Sequence, residues 1–431
     1  MTVPFRVGIA GLGTVGAGVV RALQDHAGLI AVRAGRPIKI VAVSGKNKKK
    51  KRAVKISSYE WVDDPVKLSL ANVDAVIELI GGAEGAARKT VEAALKSKKD
   101  VVTANKALMA HHGTALAAMA EKNAVGLNYE AAVAGGVPVI KTFREGLAGN
   151  RIQSVSGILN GTCNYILTEM RVSGRDFKPV LKEAQEKGYA EADPSFDIDG
   201  VDTAHKLSLL SALAFGMPPD VGSLKVSGIR HITAQDISYA GELGYRIRLL
   251  GMARMMAKGK IAQSVEPCLV PANGSLGAVE GVFNAVHYVG DVCGPGMLEG
   301  LGAGAGPTAS AVVADIIDLA RGVSCPVFGV PVKHLKKAVY AKDEDIVVRF
   351  YVHLRVIDRP GVIAEVSAIL KAHKISIESF IQRGRDPGQA VSVVMTTHDT
   401  KLSSIRAANK HMSALSCMAG KPTLIRIEDI L

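Results

Sequence analysis

Apolar positions along the chain follow two rhythms. In the first 130 residues, short apolar runs alternate with stretches in which apolar residues recur every three or four positions. The runs predict strands at 6–10 (RVGIA), 38–44 (IKIVAVS), 73–79 (VDAVIEL), 100–103 and 125–129. The longer period predicts helices at 15–25, 86–96 and 112–122. Such alternation implies a parallel sheet covered by helices on both faces. From 133 to 304 the pattern changes to longer helices, such as 177–186 and 201–214, with strands such as 152–159 between them, an α+β pattern. A helix at 308–319 (TASAVVADIIDL) is expected to pack back on the first region. The stretch 326–342, with two prolines, reads as a linker. After residue 346 a βαββαβ pattern is readable, with strands at 347–356, 375–382, 390–397 and 423–428 and helices at 362–373 and 403–415. The predicted organisation is therefore 1–132, completed by about 305–325; 133–304; a linker at 326–345; and 346–431.

Composition narrows the class without naming it. A chain of 431 residues with 48% hydrophobic and 22% charged residues can bury large cores in several domains. Five dispersed cysteines, with no C-x-x-C pair, point away from a disulfide framework or a zinc site and toward a reducing cytoplasm. No membrane span or signal peptide is expected from the apolar runs or from the start of the chain. The charge of +13 is concentrated partly in the lysine-rich stretches 46–52 and 96–99. Aromatic residues do not interleave with them as base stacking would require, so no nucleic-acid partner is expected.

Gly11-Leu12-Gly13-Thr14-Val15-Gly16 is G-x-G-x-x-G placed directly after a predicted strand and before a predicted helix. In that context it reads as a dinucleotide-binding fingerprint. The first glycine makes the turn, the second lets the backbone approach a pyrophosphate, and the third lets helix and strand pack closely. The helix N-terminus then faces the phosphates. A binder of NAD usually carries a carboxylate at the end of the second strand, on the ribose 2′-hydroxyl. Here that strand runs into Ser44-Gly45-Lys46-Asn47-Lys48. Lys46 and Lys48, with Arg52 as a further candidate, are placed to pair with a 2′-phosphate, so NADP is preferred, with NAD use left open.

Residues 188–206 read GYAEADPSFDIDGVDTAHK, with five carboxylates (Glu191, Asp193, Asp197, Asp199 and Asp202) ahead of a lysine. A helix starting near Gly200 makes Asp202 and Lys206 neighbours at i,i+4 on one face. Carbonyl reduction needs a hydride donor and a proton donor at oxygen. A lysine ammonium can give that proton or stabilise the developing alkoxide. Glu191 and Asp202 suit a substrate ammonium, although an acidic loop beside a surface helix pair would have the same spacing. His205 points to another helix face and reads as structural. Lys106, in Val102-Thr103-Ala104-Asn105-Lys106 at a strand end, faces the cofactor crevice, where it could meet nicotinamide or substrate.

These stretches resemble the homoserine dehydrogenase family across essentially the whole chain. The resemblance is carried by GLGTVG at 11–16, TANK at 103–106, YEAAVAGGVPVI at 129–140, GILNGTCNYIL at 157–167, GYAEADPSFDIDGVDTAHK at 188–206 and GAGAGPTASAV at 302–312. It implies a Rossmann domain, an α+β catalytic and dimerisation domain, and reversible reduction of L-aspartate 4-semialdehyde to L-homoserine in threonine, methionine and isoleucine biosynthesis. Lys206 matches the family's proton donor and Lys106 a second lysine of the cleft. Glu191, Asp202 and Gly188 match substrate-binding positions. Gly302 and Gly304 match a loop near the nicotinamide. Glu130, Val133, Gly135 and Val137 match a monovalent cation site, usually sodium, built mainly from backbone carbonyls. The last 80 or so residues resemble an ACT domain, a ferredoxin-like module that pairs side by side and binds amino acids. It implies L-threonine as effector and a homodimer or homotetramer.

Three other readings compete. Aspartate-semialdehyde dehydrogenase chemistry would need a nucleophilic cysteine, and Cys163 is the candidate. A non-enzymatic amino-acid sensor would use the last module alone, and a nucleic-acid binder would use the lysine run. The intact fingerprint and the Lys206 stretch favour the enzyme.

Overall fold

The computed structural model describes residues 3–383 and 386–430. The chain divides into two compact units. The first contains Met1–Gly161, Asp202–Leu224 and Val282–Ala338; the second contains Thr162–Val201, Lys225–Gly281 and Val339–Leu431. The stretch 133–304, read from sequence as one domain, is thus shared between the two units.

The first unit is built on a parallel sheet of β1 (Phe5–Ala10), β2 (Ile38–Ser44), β3 (Glu60–Trp61), β4 (Ala75–Glu78), β5 (Asp100–Thr103) and β6 (Leu127–Asn128), in the order β3-β2-β1-β4-β5-β6. This is the Rossmann order. The chain turns one way from β1 to β2 and the other way to β4, which opens a crevice at the C-terminal ends of β1 and β4. The central strands are β-branched and buried on both faces, with Val7, Ile9, Val76 and Ile77 fully enclosed. Four helices flank the sheet: α1 (Thr14–Asp25), α2 (Ala27–Ala34), α3 (Ala86–Lys96) and α4 (Lys106–Asn123). Val19, Val20 and Leu23 of α1 are buried, each worth about 1.5–3 kcal/mol when fully removed from water. The helix Ala305–Arg321 lies against α1 so closely that a Cβ at Gly18 would fall 2.7 Å from the Ala305 carbonyl oxygen.

Helix α4 begins at Lys106 rather than 112, because Asn105 caps it, its Oδ1 accepting from the Leu108 N–H at 3.0 Å. In the same unit the antiparallel strands Ile152–Ile158, Phe283–Gly290 and Gly294–Leu301 lie side by side, and most of the helix Val201–Phe215 belongs here. The start of the predicted linker is not a solvated tether. Val327 and Phe328 are buried, and the Tyr129 hydroxyl donates to the Val327 carbonyl at 3.1 Å.

The second unit carries the C-terminal module. Its strands Val347–Ile357, Ile377–Gln382, Ala390–Thr397 and Thr423–Ile427 and helices Val362–Ala372 and Leu402–Met412 realise the βαββαβ order. Val352, Leu354, Val366, Ile405 and Met412 lie in its core. Thr423–Ile427 also pairs with Ile261–Pro271, which forms a long hairpin with Tyr245–Met255. Among the described residues no helix is long and apolar enough to cross a membrane.

Candidate active site

The fingerprint lies at the crevice between β1 and β4. A Cβ at Gly11 (φ +103°) would fall 2.5 Å from the Leu79 carbonyl oxygen, and one at Gly16 would fall 2.0 Å from the Gly11 carbonyl oxygen. At Gly13 a Cβ would meet nothing within 4 Å, so the backbone there faces open space, as close approach by a phosphate demands. Thr14 and Val15 form the first turn of α1. A cleft of about 410 Å³ is lined here by Gly11, Leu12 and Gly13 together with Lys46, Lys50 and Arg52. These features fit a dinucleotide, and cations share its cleft.

The lysine loop differs in detail from the sequence reading. Lys48 is exposed and does not line the cleft, whereas Lys50 does. Arg52 donates to the carbonyl oxygens of Asn47 (2.7 Å) and Lys50 (2.9 Å) and lies over the Trp61 ring at 5.6 Å, so it organises the loop. One carboxylate, Asp63, also lines the cleft, and its Oδ1 accepts from Trp61 Nε1 at 2.7 Å.

Deeper in the first unit, Asp202 and Lys206 meet as the helical spacing requires, with Lys206 Nζ 2.8 Å from Asp202 Oδ2. Lys206 also donates to the Leu159 carbonyl oxygen at 2.6 Å, and Asn160 Nδ2 donates to Asp202 Oδ2 at 2.8 Å. From the N-terminal turn of α4, Lys106 Nζ reaches Asp202 Oδ1 at 2.6 Å. One buried carboxylate therefore stands between two ammonium groups. Burial alone would push the Asp202 carboxyl up, but the charges and hydrogen bonds of Lys206 and Lys106 hold it well below the usual carboxylate range. His205 is buried edge-on to His111, with ring centroids 5.0 Å apart. Burial, then His111 and Lys106, bring its imidazole down to about 4 against the pull of Asp202. It is therefore neutral at pH 7.

The loop 130–137 packs on the glycine-rich loop 302–304. Gly136 N–H donates to the Leu301 carbonyl at 3.0 Å, and a Cβ at Gly135 would fall 2.4 Å from the Gly302 carbonyl oxygen. The Glu130 carboxylate is buried and accepts from the N–H groups of Ile140 (2.9 Å) and Lys141 (2.8 Å). Burial and the neighbouring Asp315 raise it to about 7 despite those bonds. The carbonyls of Val133 and Gly135 accept no backbone N–H among the described residues, and hard oxygen donors of this kind suit a monovalent cation. Among the described residues no cluster of three or more His, Cys, Asp or Glu could hold a metal ion.

Glu191 and Gly188 belong to the second unit. Glu191 is exposed, its backbone carbonyl accepting from Gln185 Nε2 at 3.0 Å, and Gly188 takes a left-handed turn at φ +75°. Cys163 is fully buried, its thiol donating to the Asp197 carbonyl at 3.3 Å, a poor setting for a nucleophile. Sequence reasoning missed Leu159, Asn160, Lys50 and Asp63. Only Asn160, an amide directly after an apolar strand in Leu159-Asn160-Gly161-Thr162, carried a readable hint.

Three family models match the chain: homoserine dehydrogenase, NAD binding domain, over 11–130; homoserine dehydrogenase over 138–317; and ACT domain over 350–416. The chain is similar to the homoserine dehydrogenase of Neisseria gonorrhoeae, 43% identical over 434 residues, and to that of Pseudomonas aeruginosa, 41% identical over 441 residues, with 99% of each chain covered in both cases. Among solved structures it is similar to a homoserine dehydrogenase from Thiobacillus denitrificans, with a TM-score of 0.93 at 43% identity over 99% of both chains. A hyperthermophilic archaeal homoserine dehydrogenase in complex with NADPH gives a TM-score of 0.63 at 27% identity, over 73% of this chain and 97% of that one.

Proposed function

The chain belongs to the homoserine dehydrogenase family of oxidoreductases, and on that premise we propose that it reduces L-aspartate 4-semialdehyde to L-homoserine with NADP(H), reversibly, with Lys206 as proton donor. The observation that carries this reading is the row Lys106–Asp202–Lys206, two ammonium groups on one buried carboxylate. The cofactor, when bound, supplies or accepts the hydride. The chain's own work is at the oxygen. The Lys206 ammonium, held by Leu159 and Asp202, gives its proton at Nζ as the carbonyl becomes an alkoxide and takes it back in the oxidative direction. Asp202 is held ionised by its two lysine neighbours and in turn keeps their side chains close. Lys106, one-third exposed, is positioned to meet the substrate or the nicotinamide end. Glu191 and Gly188 are assigned to substrate binding on the strength of their motif alone.

NADP rather than NAD is supported by the cations Lys46, Lys50 and Arg52 at the cleft and by the NADPH complex of the archaeal relative. Lys48 contributes charge from outside the cleft. Gly302 and Gly304 are assigned to the nicotinamide loop. Glu130, Val133, Gly135 and Val137 are assigned to a monovalent cation, sodium in the usual case, with the backbone carbonyls as its main donors. The Asp358–Gly361 turn lines a cleft of about 430 Å³ in the ACT module, and we assign L-threonine to that module as feedback effector of a cytoplasmic homodimer or homotetramer.

The deciding experiment is the initial rate of NADPH appearance with L-homoserine and NADP, with sodium present, for the wild type and Lys206→Ala. A fast wild type and a variant slowed by about 100-fold or more support the assignment. An equally fast variant moves the proton donor elsewhere, with Lys106 the next suspect. A folded wild type without turnover on either cofactor overturns the reaction itself.

A further inference from the structure

Asn284 lies on the strand Phe283–Gly290 and is 1% exposed. Neither its Nδ2 nor its Oδ1 has a hydrogen-bond partner among the described residues. Leaving a buried polar group unpaired costs about 1–3 kcal/mol, and roughly 90% or more of such groups in folded proteins are paired. An amide with neither end satisfied therefore asks for an explanation.

Its neighbours supply one. Gly302 sits directly on the amide: a Cβ there would fall 2.1 Å from Asn284 Cγ and 2.3 Å from both Nδ2 and Oδ1. Gly161 is also near: a Cβ there would fall 3.5 Å from Asn284 Oδ1. Gly161 directly follows Leu159 and Asn160, the residues that hold Lys206 and Asp202. The amide thus lies close both to the glycine loop assigned to the nicotinamide and to the turn whose Leu159 and Asn160 hold Lys206 and Asp202. All of these residues belong to the first unit.

We propose that Asn284 is a positioning residue for hydride transfer. Its amide pairs with the backbone of the 302–304 loop when the cofactor binds, and so sets that loop against the 159–161 turn. An amide has two donors and an acceptor, which match the N–H and C=O groups of an adjoining peptide. Two features let the loop adjust: Gly302 has no side chain to collide with the amide, and Gly304, at φ +111°, adopts a conformation open to glycine. The inference rests on the assignment of the 302–304 loop to the nicotinamide.

The test compares the stability of the cofactor-free protein with cofactor binding in Asn284→Leu. Removing an unpaired amide should leave the apo unfolding midpoint unchanged or raised. The same change should raise KM for NADP about 10-fold, the equivalent of about 1.4 kcal/mol, and shrink the midpoint rise that NADPH produces. If Asn284→Leu overpacks, Asn284→Ala reads the same two cofactor quantities. A lower apo midpoint with cofactor affinity intact overturns the inference, because the amide is then already paired in the apo protein. No change in any quantity overturns it too. Gly304→Ala separates the premise from the inference. If it leaves NADP binding untouched, the loop assignment fails; if it weakens binding while the Asn284 variants do not, Asn284 has no positioning role.

Discussion

Two groups of lysines in the same unit stand in opposite environments. Lys206 and Lys106 share one carboxylate in the interior, and Lys206 is 10% exposed at its side chain. Lys46, Lys48 and Lys50 stand in the open on the loop after β2. In the first group each ammonium has a fixed partner within 3 Å, and the weak screening of the interior makes each charge count. In the second, water and salt screen the charges, and position relative to the cleft decides which of them matters. A cation in a sequence is therefore only half an argument; what surrounds it is the other half.

Substitutions can break that contrast at either end. The largest effect is expected at Lys206→Ala, a loss in kcat of about 10²–10⁴ with KM for the cofactor little changed. Asp202→Asn comes next. It removes the carboxylate between two lysines, and breaking a buried pair in this way costs roughly 3–5 kcal/mol, measurable by denaturant unfolding. An unfolding free energy within about 1 kcal/mol of the wild type would show that the interior lysines are as well hydrated as the exposed ones. His205 sharpens the comparison through pH. Its imidazole is held at about 4 in the folded chain, against about 6.5 when unfolded. Between these values the unfolded chain binds more protons, so this residue's contribution to stability falls as pH drops from about 6.5 to about 4, by about 3 kcal/mol in all. The difference in unfolding free energy between wild type and His205→Asn should narrow over that window, and a flat difference would contradict the burial argument. The smallest effects belong to the loop. Lys46→Glu should raise KM for NADP about 10-fold at low salt, less at high salt, with NAD little affected. Lys48→Glu, outside the cleft, should change it less than about 2-fold. Equal losses for both cofactors would remove the 2′-phosphate role.

The Rossmann order and the βαββαβ module were legible because local periodicity and a glycine fingerprint set them. Asp202 and Lys206 were legible as partners because one helical turn brings them together. Lys106 was seen as a resident of the crevice but not as a partner of Asp202, since that contact joins α4 to a distant helix through tertiary packing alone. The Leu159 carbonyl could not have been found, because a backbone acceptor leaves no mark in residue identity. The start of α4 was misplaced for another reason: Asn105 is a good cap, but the apolar period that locates helices becomes clear only further along. The division of 133–304 between two units, and the burial of Val327 and Phe328, depend on contacts between segments far apart in the chain, which no local pattern encodes.

The carboxylate of Asp202 has one more consequence, which concerns unwanted chemistry. The proposed substrate is an aldehyde, and aldehydes condense with free amines to form imines. Lys206 would be exposed to that reaction at each turnover. An ammonium has no lone pair to attack with, and a negative charge 2.8 Å away favours the ammonium over the amine. On the proposed mechanism, the contact that readies the proton for the carbonyl oxygen would also disfavour attack by the lysine on the carbonyl carbon. Borohydride trapping followed by mass spectrometry should find Lys206 unmodified in the wild type and labelled in Asp202→Asn.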